Sequence, residues 1–275
     1  MQAWSRAARQ CGRRIGFVPT MGYLHEGHMS LVRLARERTD AVVVSIFVNP
    51  LQFGPQEDLA RYPRDFARDE ALCRQEGADA VFYPDVAAMY QPDHSVFVTE
   101  TRLTRGLCGA VRPGHFQGVT TVVAKLFNLV LPDVAVFGQK DAQQARIIER
   151  MVRDLNFPLT VVIGPIVREP DGLALSSRNK YLKGAERQHA LCLQRALDLA
   201  ESLVRDGECD AAVLRDAMRT LIEGTPATRI DYIEVVADDT LEPVARIAAR
   251  TLIALAVRVG ATRLIDNVVL PGPRG

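Results

Sequence analysis

Two histidines flanked by glycines follow a short apolar segment near the start of the chain, in the run PTMGYLHEGH. His25 and His28 stand where a predicted buried strand, 15–18, meets a predicted amphipathic helix, 30–38. Free backbone N–H groups and the helix dipole attract anions at such a turn. The glycines allow close approach of a ligand to the backbone, and imidazoles can hydrogen-bond phosphate oxygens. The pattern therefore predicts a nucleoside triphosphate site.

Two other interpretations of this histidine pair stay open at this point. The two residues could be ordinary hydrogen-bonded polar side chains at a helix start. A zinc site has weaker support, because the H-E-x-x-H motif needs histidines four residues apart on a helix and these are three apart. The phosphate interpretation is favoured because it gives a purpose to both glycines and to the helix start.

Two further polar segments follow predicted strands. Asn49 and Gln52 come after the strongest strand pattern, in NPLQFG, and Lys140 and Asp141 come after another, in FGQKDAQQ. A lysine at that place could neutralise phosphate as a mobile point charge. An Asn-Pro turn or a surface Lys-Asp pair is common by itself. Their repeated placement at strand ends, where α/β sheets bind ligands, indicates a shared site.

Two loops could add charge to that site. Arg178 follows two serines in LALSSRN, which could clamp triphosphate oxygens or could be a linker turn with a serine N-cap. The segment 112–116, RPGHF, has the composition of a mobile loop able to bring charge over a site. The G-x-G-x-x-G, P-loop and G-x-S-x-G motifs do not occur, so dinucleotide, P-loop and esterase sites lose support. Catalysis by a cysteine nucleophile stays open, although no cysteine lies in these loops.

Strand and helix patterns alternate through the first two-thirds of the chain. Near-continuous apolar strands such as 41–48 need cover on both faces, which is typical of a parallel sheet. We therefore expect an α/β fold with a Rossmann-like, doubly wound parallel sheet. The predicted strands are 15–18, 41–48, 80–83, 95–98, 134–137 and 159–163, and the predicted helices are 30–38, 65–76, 119–131 and 142–155.

The pattern changes after residue 182. Helices are predicted at 185–205 and 211–222, followed by strands at 230–236 and 251–259 that alternate apolar and polar residues as half-exposed antiparallel strands do. We expect a Rossmann-like domain over residues 1–175, which binds the ligands, and a smaller C-terminal α+β domain over residues 176–275.

Composition narrows the class of protein. The chain has 275 residues, 48% of them hydrophobic and 24% charged, as in an ordinary globular protein of one large or two modest domains. A net charge of +1 gives no reason to expect nucleic-acid binding, and no apolar run reaches membrane-spanning length. Five cysteines without C-x-x-C spacing argue against a disulfide framework or a thiolate zinc site and favour the reducing cytoplasm.

Taken together and in this order, the motifs PTMGxLHxGH, NPxQF, FGxKDxQQ and LSSRN resemble those of the pantoate–β-alanine ligase (pantothenate synthetase) family. The resemblance extends from about residue 14 to the C-terminus. Its first motif is the family's version of the HxGH signature of nucleotidyltransferases and class I aminoacyl-tRNA synthetases. The family's reaction is an ATP-dependent ligation in two steps. The pantoate carboxylate attacks the α-phosphorus and expels diphosphate, and the β-alanine amine then attacks the pantoyl adenylate, releasing AMP and pantothenate.

The resemblance also implies roles for individual residues. His28 is implied as the proton donor, with His25, Lys140 and Arg178 as further catalytic residues. Gln52 and Gln144 would hold pantoate, Gln52 also facing β-alanine, and Asn49 is a weaker candidate beside them. Mg²⁺ would accompany ATP, held largely by phosphates and water, with unknown protein ligands. The implied ATP contacts are Met21, Gly22, Tyr23, Leu24, His25, Glu26, Gly27, His28, Gly138, Gln139, Lys140, Asp141, Val167, Leu175, Ser176, Ser177 and Arg178.

The family further implies a homodimer and a C-terminal domain that acts as a lid over ATP. Its members usually begin with a strand and the start of a helix before the segment equivalent to residues 1–10, so we expect an edge strand to be missing here. Two rival functions remain. One is a nucleotidyltransferase of the same fold that releases an adenylylated product, and the other is a catalytically silent nucleotide-binding protein.

Overall fold

The computed structural model describes residues 1–55 and 57–272, so the last three residues of the predicted second domain lie outside the described residues. Its helices are α1 Gln2–Gln10, α2 Glu26–Arg36, α3 Phe66–Gln75, α4 Val86–Met89, α5 Leu107–Val111, α6 His115–Val130, α7 Ala142–Asp154, α8 Ala185–His189, α9 Cys192–Arg205 and α10 Ala211–Glu223. Its strands are β1 Ile15–Thr20, β2 Ala41–Ile46, β3 Ala80–Phe82, β4 Val134–Gly138, β5 Thr160–Gly164, β6 Thr228–Ala237, β7 Thr251–Val259 and β8 Thr262–Leu270. Short 3₁₀ helices cover Pro50–Gln52, Leu59–Arg61, Gln139–Asp141 and Ser177–Tyr181. Within the described ranges, no helix combines the length and the apolar character that a membrane crossing requires.

The chain forms two compact units. Unit 1 comprises Met1–Arg102, Arg112–Gln139 and Gln144–Val167. Unit 2 comprises Leu103–Val111, Lys140–Gln143 and Arg168–Gly275. The domain ranges 1–175 and 176–275 stay a prediction.

Unit 1 contains a parallel sheet of five strands in the order β3-β2-β1-β4-β5, which confirms the predicted α/β fold. β1 pairs with β2 from Ile15↔Ala41 to Thr20↔Ile46, and with β4 through Gly16↔Val134. The chain runs outward from β1 through β2 to β3 and then returns to β4 on the other side of β1. The carboxyl ends of β1 and β4 therefore form a topological switch point, where open α/β sheets bind ligands.

Burial explains why these segments form the centre of the sheet. All six residues of β2 are buried, as are Ile15, Phe17 and Val18 of β1. The last turn of α2 and the residues after it lie close against the sheet at Gly16, where a Cβ atom would be 3.2 Å from the Ala35 Cβ and 2.5 Å from the Thr39 Oγ1 atom. This close approach packs the C-terminal end of α2 against the amino end of β1.

Carboxylates satisfy the backbone at the amino ends of the strands. Asp133 accepts a hydrogen bond from the Ile15 N–H at 2.7 Å and another from Arg9. Asp79 accepts one from the Val42 N–H at 2.9 Å. Within unit 1, the polar residues that the sequence analysis singled out, such as His25 and Gln52, follow the opposite, carboxyl ends of β1 and β2.

Unit 2 contains an antiparallel sheet in the order β6-β7-β8 with helices α9 and α10 packed against it. The central strand β7 is almost completely buried. A bulge between Ile230 and Tyr232 of β6 shifts the register of its pairing with β7. The predicted smaller α+β arrangement is therefore confirmed, with one strand more than the sequence indicated, because β8 was not predicted.

Three local predictions were wrong. Residues 95–98 form no strand, because the side chains of Thr121 and Thr120 bond the Val98 N–H and carbonyl in place of a neighbouring strand. The predicted helix 185–205 is two helices, since the hydrogen bonding shortens to three-residue spacing at Leu191 and Leu193. The loop predicted at 112–116 instead includes the first residues of α6.

Gly118 of α6 provides a test of how the fold positions the NPLQF segment. A Cβ atom at this position would lie 2.3 Å from the Leu51 carbonyl oxygen and 2.7 Å from the Gln52 nitrogen. We expect Gly118→Ala to lower the free energy of unfolding by about 2 kcal/mol, since overpacking against backbone costs roughly that much. Urea denaturation measures the change. Gly106→Ala is the matched control because a Cβ there meets nothing within 4 Å, and equal stability of the two variants would contradict the prediction.

Candidate active site

The loop after β1 turns sharply before α2 begins. Gly22 and Tyr23 both have left-handed backbone angles, with φ of +84° and +52°. The carboxylate of Asp69, on α3, accepts hydrogen bonds from the Tyr23 N–H at 2.6 Å and the Leu24 N–H at 2.7 Å. A side chain at Gly22 would collide with this arrangement, because its Cβ would lie 2.9 Å from Ile46 and 3.1 Å from Asp69. The loop conformation is therefore fixed by one buried carboxylate and one obligatory glycine.

Asp69 is 1% exposed, which has an electrostatic consequence. Burial raises the pKa of its carboxyl above the ordinary value, although the N–H groups of Leu24 and Tyr23 and the charge of Arg68 act to lower that pKa. The Arg68 guanidinium lies 3.6 Å from the carboxylate and 5.0 Å above the Tyr23 ring. Arg68 thus joins the carboxylate to the aromatic ring of the same loop by ion pairing and a cation–π contact.

His25 and His28 lie together at the start of α2. The helix begins at Glu26, four residues before the predicted start, so His25 is its N-cap and His28 lies in its first turn. The two ring centroids are 4.0 Å apart, and the His25 N–H donates to the Nδ1 atom of His28 at 3.3 Å. Since Nδ1 accepts, a neutral His28 ring carries its proton on Nε2. Nε2 is then a hydrogen-bond donor at a helix N-terminus, where anions are favoured.

Gln52 is a buried residue of the 3₁₀ turn that follows β2. Its Nε2 atom donates to the sulfur of Met21 at 2.9 Å, which links the NPLQF motif to the loop after β1. Its Oε1 atom accepts from the Asn49 Nδ2 atom at 3.2 Å. Asn49 also donates to the Gly118 carbonyl at 3.0 Å and accepts from the Tyr90 hydroxyl at 2.8 Å. The two amide side chains therefore belong to one hydrogen-bonded network.

The Gln52 backbone is held by a second group of polar residues. Its carbonyl accepts from Nδ1 of His115 at 2.8 Å and from Arg112 at 3.3 Å. Arg112 makes two 2.6 Å hydrogen bonds to Glu57, and it donates to Nε2 of His115 at 2.9 Å. Burial acts to raise the Glu57 pKa, but the Arg112 guanidinium outweighs it and holds that pKa below the ordinary value. The segment predicted as a mobile loop is thus tied to the site by an ion pair and a histidine.

The other predicted site residues of unit 1 occupy three places. Gly138 ends β4 and Gln139 begins the following 3₁₀ turn, at the same sheet edge as the loop after β1. Gln144 lies in the first turn of α7 and is partly buried. Val167 is the last residue of unit 1 and is also partly buried.

Unit 2 contains Lys140 and Asp141. The Lys140 ammonium lies 3.9 Å from the Asp141 carboxylate, and the Lys140 carbonyl accepts a 2.9 Å hydrogen bond from Asn267 of β8. The first glutamine of the FGxKDxQQ motif is structural, because Gln143 is buried and bonds the backbone of Leu103, Gly106 and Cys108. A lysine with a partly exposed side chain is therefore presented on a firmly anchored turn.

The LSSRN segment follows a loop that charged side chains fix within unit 2. Arg187 bridges Glu169 at 2.9 Å and Asp171 at 2.6 Å. The Arg187 hydrogen bond holds the Asp171 pKa below its ordinary value, against a smaller effect of desolvation. Ser176 caps the next 3₁₀ helix by accepting from the Arg178 N–H at 3.2 Å. Ion pairs therefore fix the loop that leads to the serine cap, so this segment is ordered and is more than a connection between elements.

The predicted contacts thus divide between the units. Residues 21–28, Asn49, Gln52 and Gln144 lie in unit 1, whereas Lys140, Asp141 and residues 175–178 lie in unit 2. That both sets act on one nucleotide stays a prediction.

A metal held by protein ligands, and catalysis by the buried Cys73 or Cys192, receive no support from the side chains. In the described part of the chain, no three His, Cys, Asp or Glu residues come together as a group that could hold a metal ion. Burial raises the pKa of the Cys73 and Cys192 thiols to about 11, so both stay protonated and poorly nucleophilic at neutral pH.

Sequence reasoning did not identify several residues that shape the site. Asp69, Glu57 and Tyr90 carry no motif, and each acts through a contact with a residue far away in the chain. Only Asp69 had a visible signal, since it is a charged residue on the face of α3 that also carries the buried Cys73.

Comparisons with known proteins identify the same family over nearly the whole length of the chain. The family described as "Pantoate-beta-alanine ligase" matches residues 1–269. A pantothenate synthetase of Moorella thermoacetica is 61% identical over 264 residues, covering 96% of this chain and 93% of that protein. The crystal structure of pantothenate synthetase from Thermus thermophilus has a TM-score of 0.92 at 49% identity, covering 98% of this chain and 97% of that one.

A second solved structure is more distant and contains ligands. It is the pantoate-beta-alanine ligase from Francisella tularensis, complexed with beta-gamma ATP and beta-alanine. It is 30% identical with a TM-score of 0.77, and the match covers 97% of this chain and 95% of that one. Since the family matches residues 1–269 and a relative is 61% identical over 96% of the chain, the chain belongs to the pantoate–β-alanine ligase family.

Proposed function

We propose that the protein condenses (R)-pantoate with β-alanine in an ATP-dependent reaction, giving pantothenate, AMP and diphosphate through a pantoyl adenylate. The observation that carries the proposal is the helix start bearing His25 and His28, directly after the central strand β1 at the switch point of the sheet. The helix dipole at such an N-terminus suits a triphosphate. The chain belongs to the pantoate–β-alanine ligase family, and we take the two-step ligation at this site from the reaction of that family.

ATP is proposed to contact residues 21–28 and 138–141, with Val167 and residues 175–178 as further contacts. Charge stabilisation and positioning account for most of the catalysis of phosphoryl chemistry. Lys140 and Arg178 are proposed to neutralise phosphate charge, and the Nε2–H of His28 to act as the proton donor. The 3.3 Å bond from the His25 N–H supports this assignment, because it leaves the proton of a neutral His28 on Nε2.

Pantoate is proposed to bind Gln52 and Gln144, with β-alanine also facing Gln52. Hydrogen bonds hold both the side chain of Gln52, from Asn49, and its carbonyl, from His115, which supports a substrate contact of fixed geometry. Asn49 is 1% exposed and its amide is already bonded to Gln52, Gly118 and Tyr90. We therefore propose that Asn49 orients Gln52 and does not itself contact pantoate.

Mg²⁺ is proposed to enter with ATP. The described residues offer no group of three His, Cys, Asp or Glu ligands, so they do not fit a cation held by a protein cage. They are compatible with a cation whose ligands are mainly phosphate oxygens and water, as is usual for Mg²⁺. No step of the mechanism above depends on a protein-bound metal.

A homodimer is also proposed. Val96 and Phe97 are 77% and 45% exposed in a segment of unit 1 that pairs with no strand. Two adjacent apolar side chains so exposed are a candidate contact for another chain. A second copy is the partner that the family resemblance implies.

The lid role of the C-terminal domain and the cytoplasmic location stay predictions. The location is supported by the five free cysteines, since free thiols persist in a reducing compartment.

One assay tests the function. We expect AMP release from ATP to require both pantoate and β-alanine, with diphosphate formed in equal amount. Diphosphate formation with pantoate that β-alanine cannot discharge would favour the nucleotidyltransferase alternative. Absence of AMP with every substrate present would favour a catalytically silent nucleotide-binding protein.

For His28 we expect the variant His28→Ala to lower kcat by about 100-fold or more, since losing one donor to transition-state charge costs about 3 kcal/mol. His28→Asn is the matched variant, because its Oδ1 atom can still accept from the His25 N–H while the Nε2 proton is lost. Steady-state kinetics should find both variants similarly slow. Near wild-type turnover of His28→Asn would contradict the proton-donor role.

For Gln52 we expect the variant Gln52→Ala to raise KM for pantoate by about tenfold, because a hydrogen bond to a charged oxygen contributes about 1.5 kcal/mol or more. KM for ATP should change little. Gln75→Ala, at an exposed glutamine at the end of α3, is the control. An unaltered pantoate response in Gln52→Ala would argue against the contact.

A further inference from the structure

The Tyr90 hydroxyl, which the function proposed above does not use, lies directly after α4 and donates to the Oδ1 atom of Asn49 at 2.8 Å. Burial raises the pKa of this phenol above its ordinary value, so the hydroxyl keeps its proton at neutral pH. The same Asn49 oxygen accepts from the Leu51 N–H at 3.3 Å. Two donors therefore fix which end of the Asn49 amide is its oxygen.

The other end of the Asn49 amide faces two acceptors. Its Nδ2 atom donates to the Gly118 carbonyl at 3.0 Å and to Oε1 of Gln52 at 3.2 Å. A backbone carbonyl can only accept, so Gly118 agrees with Tyr90 on the orientation of Asn49. The Leu51 N–H and the Gly118 carbonyl set the direction of these hydrogen bonds, and the Tyr90 hydroxyl adds a second donor that holds the Asn49 oxygen in place.

The orientation of Asn49 in turn fixes that of Gln52. Because Oε1 of Gln52 accepts from Asn49, the Nε2 atom is the end of the side chain that faces away from Asn49, and it donates to the Met21 sulfur at 2.9 Å. Thioether sulfur is a weak acceptor, so oxygen of a ligand would compete well for this nitrogen. Gln52 is thus prepared as a donor and not as an acceptor.

We propose that Tyr90 is a positioning residue that, through Asn49, sets Gln52 to offer N–H groups to the acceptor oxygens of pantoate. The proposal rests on the function proposed above and adds a residue that touches no substrate. The proposal concerns which end of the Gln52 amide, its nitrogen or its oxygen, faces the substrate. A Gln52 side chain turned by 180° would present its own oxygen to the substrate's oxygens and would repel them.

Tyr90→Phe is the direct test, since it removes one oxygen atom and keeps the ring. We expect KM for pantoate to rise about five- to tenfold, the usual effect of losing a neutral hydrogen bond. KM for ATP and the unfolding midpoint should stay close to those of Tyr83→Phe. Tyr83 is a matched control because the residue is 52% exposed and its ring stacks on Phe66.

A double-mutant cycle separates positioning from a general structural role. In a Gln52→Ala background, Tyr90→Phe should have no further effect on KM for pantoate, because there is no amide left to orient. Effects that add in the double variant would overturn the proposal, as would an unchanged KM for pantoate in Tyr90→Phe alone. A wild-type chain that releases no AMP would overturn the proposed function itself. That result differs from an active wild type whose Tyr90→Phe variant has an unchanged KM for pantoate, which would overturn only the role of Tyr90.

Discussion

The site depends first on one buried carboxylate. Asp69 accepts the N–H groups of Tyr23 and Leu24, and so holds the left-handed turn between β1 and α2. Ionic hydrogen bonds are stronger than neutral ones, and a buried carboxylate left without them would be costly. These hydrogen bonds therefore hold the turn in one conformation, and that turn sets the direction in which α2 begins. Without it the first turn of α2 would not follow β1 at the switch point of the sheet.

The fold was predictable wherever local pattern and tertiary burial agree. The buried strands β1 and β2 read as apolar runs, and the parallel sheet followed from them. Prediction was wrong where side chains replace backbone partners. At residues 95–98 the pattern favours a strand, but Thr120 and Thr121 of α6 take the hydrogen bonds of Val98. Hydrophobic periodicity cannot reveal that side chains have replaced a neighbouring strand as hydrogen-bond partners, since this depends on which helix packs nearby.

The same division holds for the candidate site. Glycines, histidines and the NPLQF motif are visible in the sequence because they are clustered within a few residues. The groups that orient them are not, because each contact spans a long stretch of chain, as between Glu57 and Arg112 or between Tyr90 and Asn49. A tyrosine or glutamate has many ordinary uses at a protein surface. Only the three-dimensional contact distinguishes a residue that positions an amide from one that is merely solvated.

Neutral donors have a physical advantage for the proposed first step. The pantoate carboxylate must be bound and must also attack phosphorus, so its negative charge has to stay available. An arginine at the position of Gln52 would hold the carboxylate as an ion pair and would stabilise the ground state as much as the transition state, which does not accelerate a reaction. An amide positions the same oxygens with less neutralisation of their charge. The guanidinium that does lie nearby, Arg112, is paired to Glu57 and bonded to the backbone of Gln52, so in the proposed binding mode its charge would stay with Glu57 and would leave the carboxylate nucleophilic.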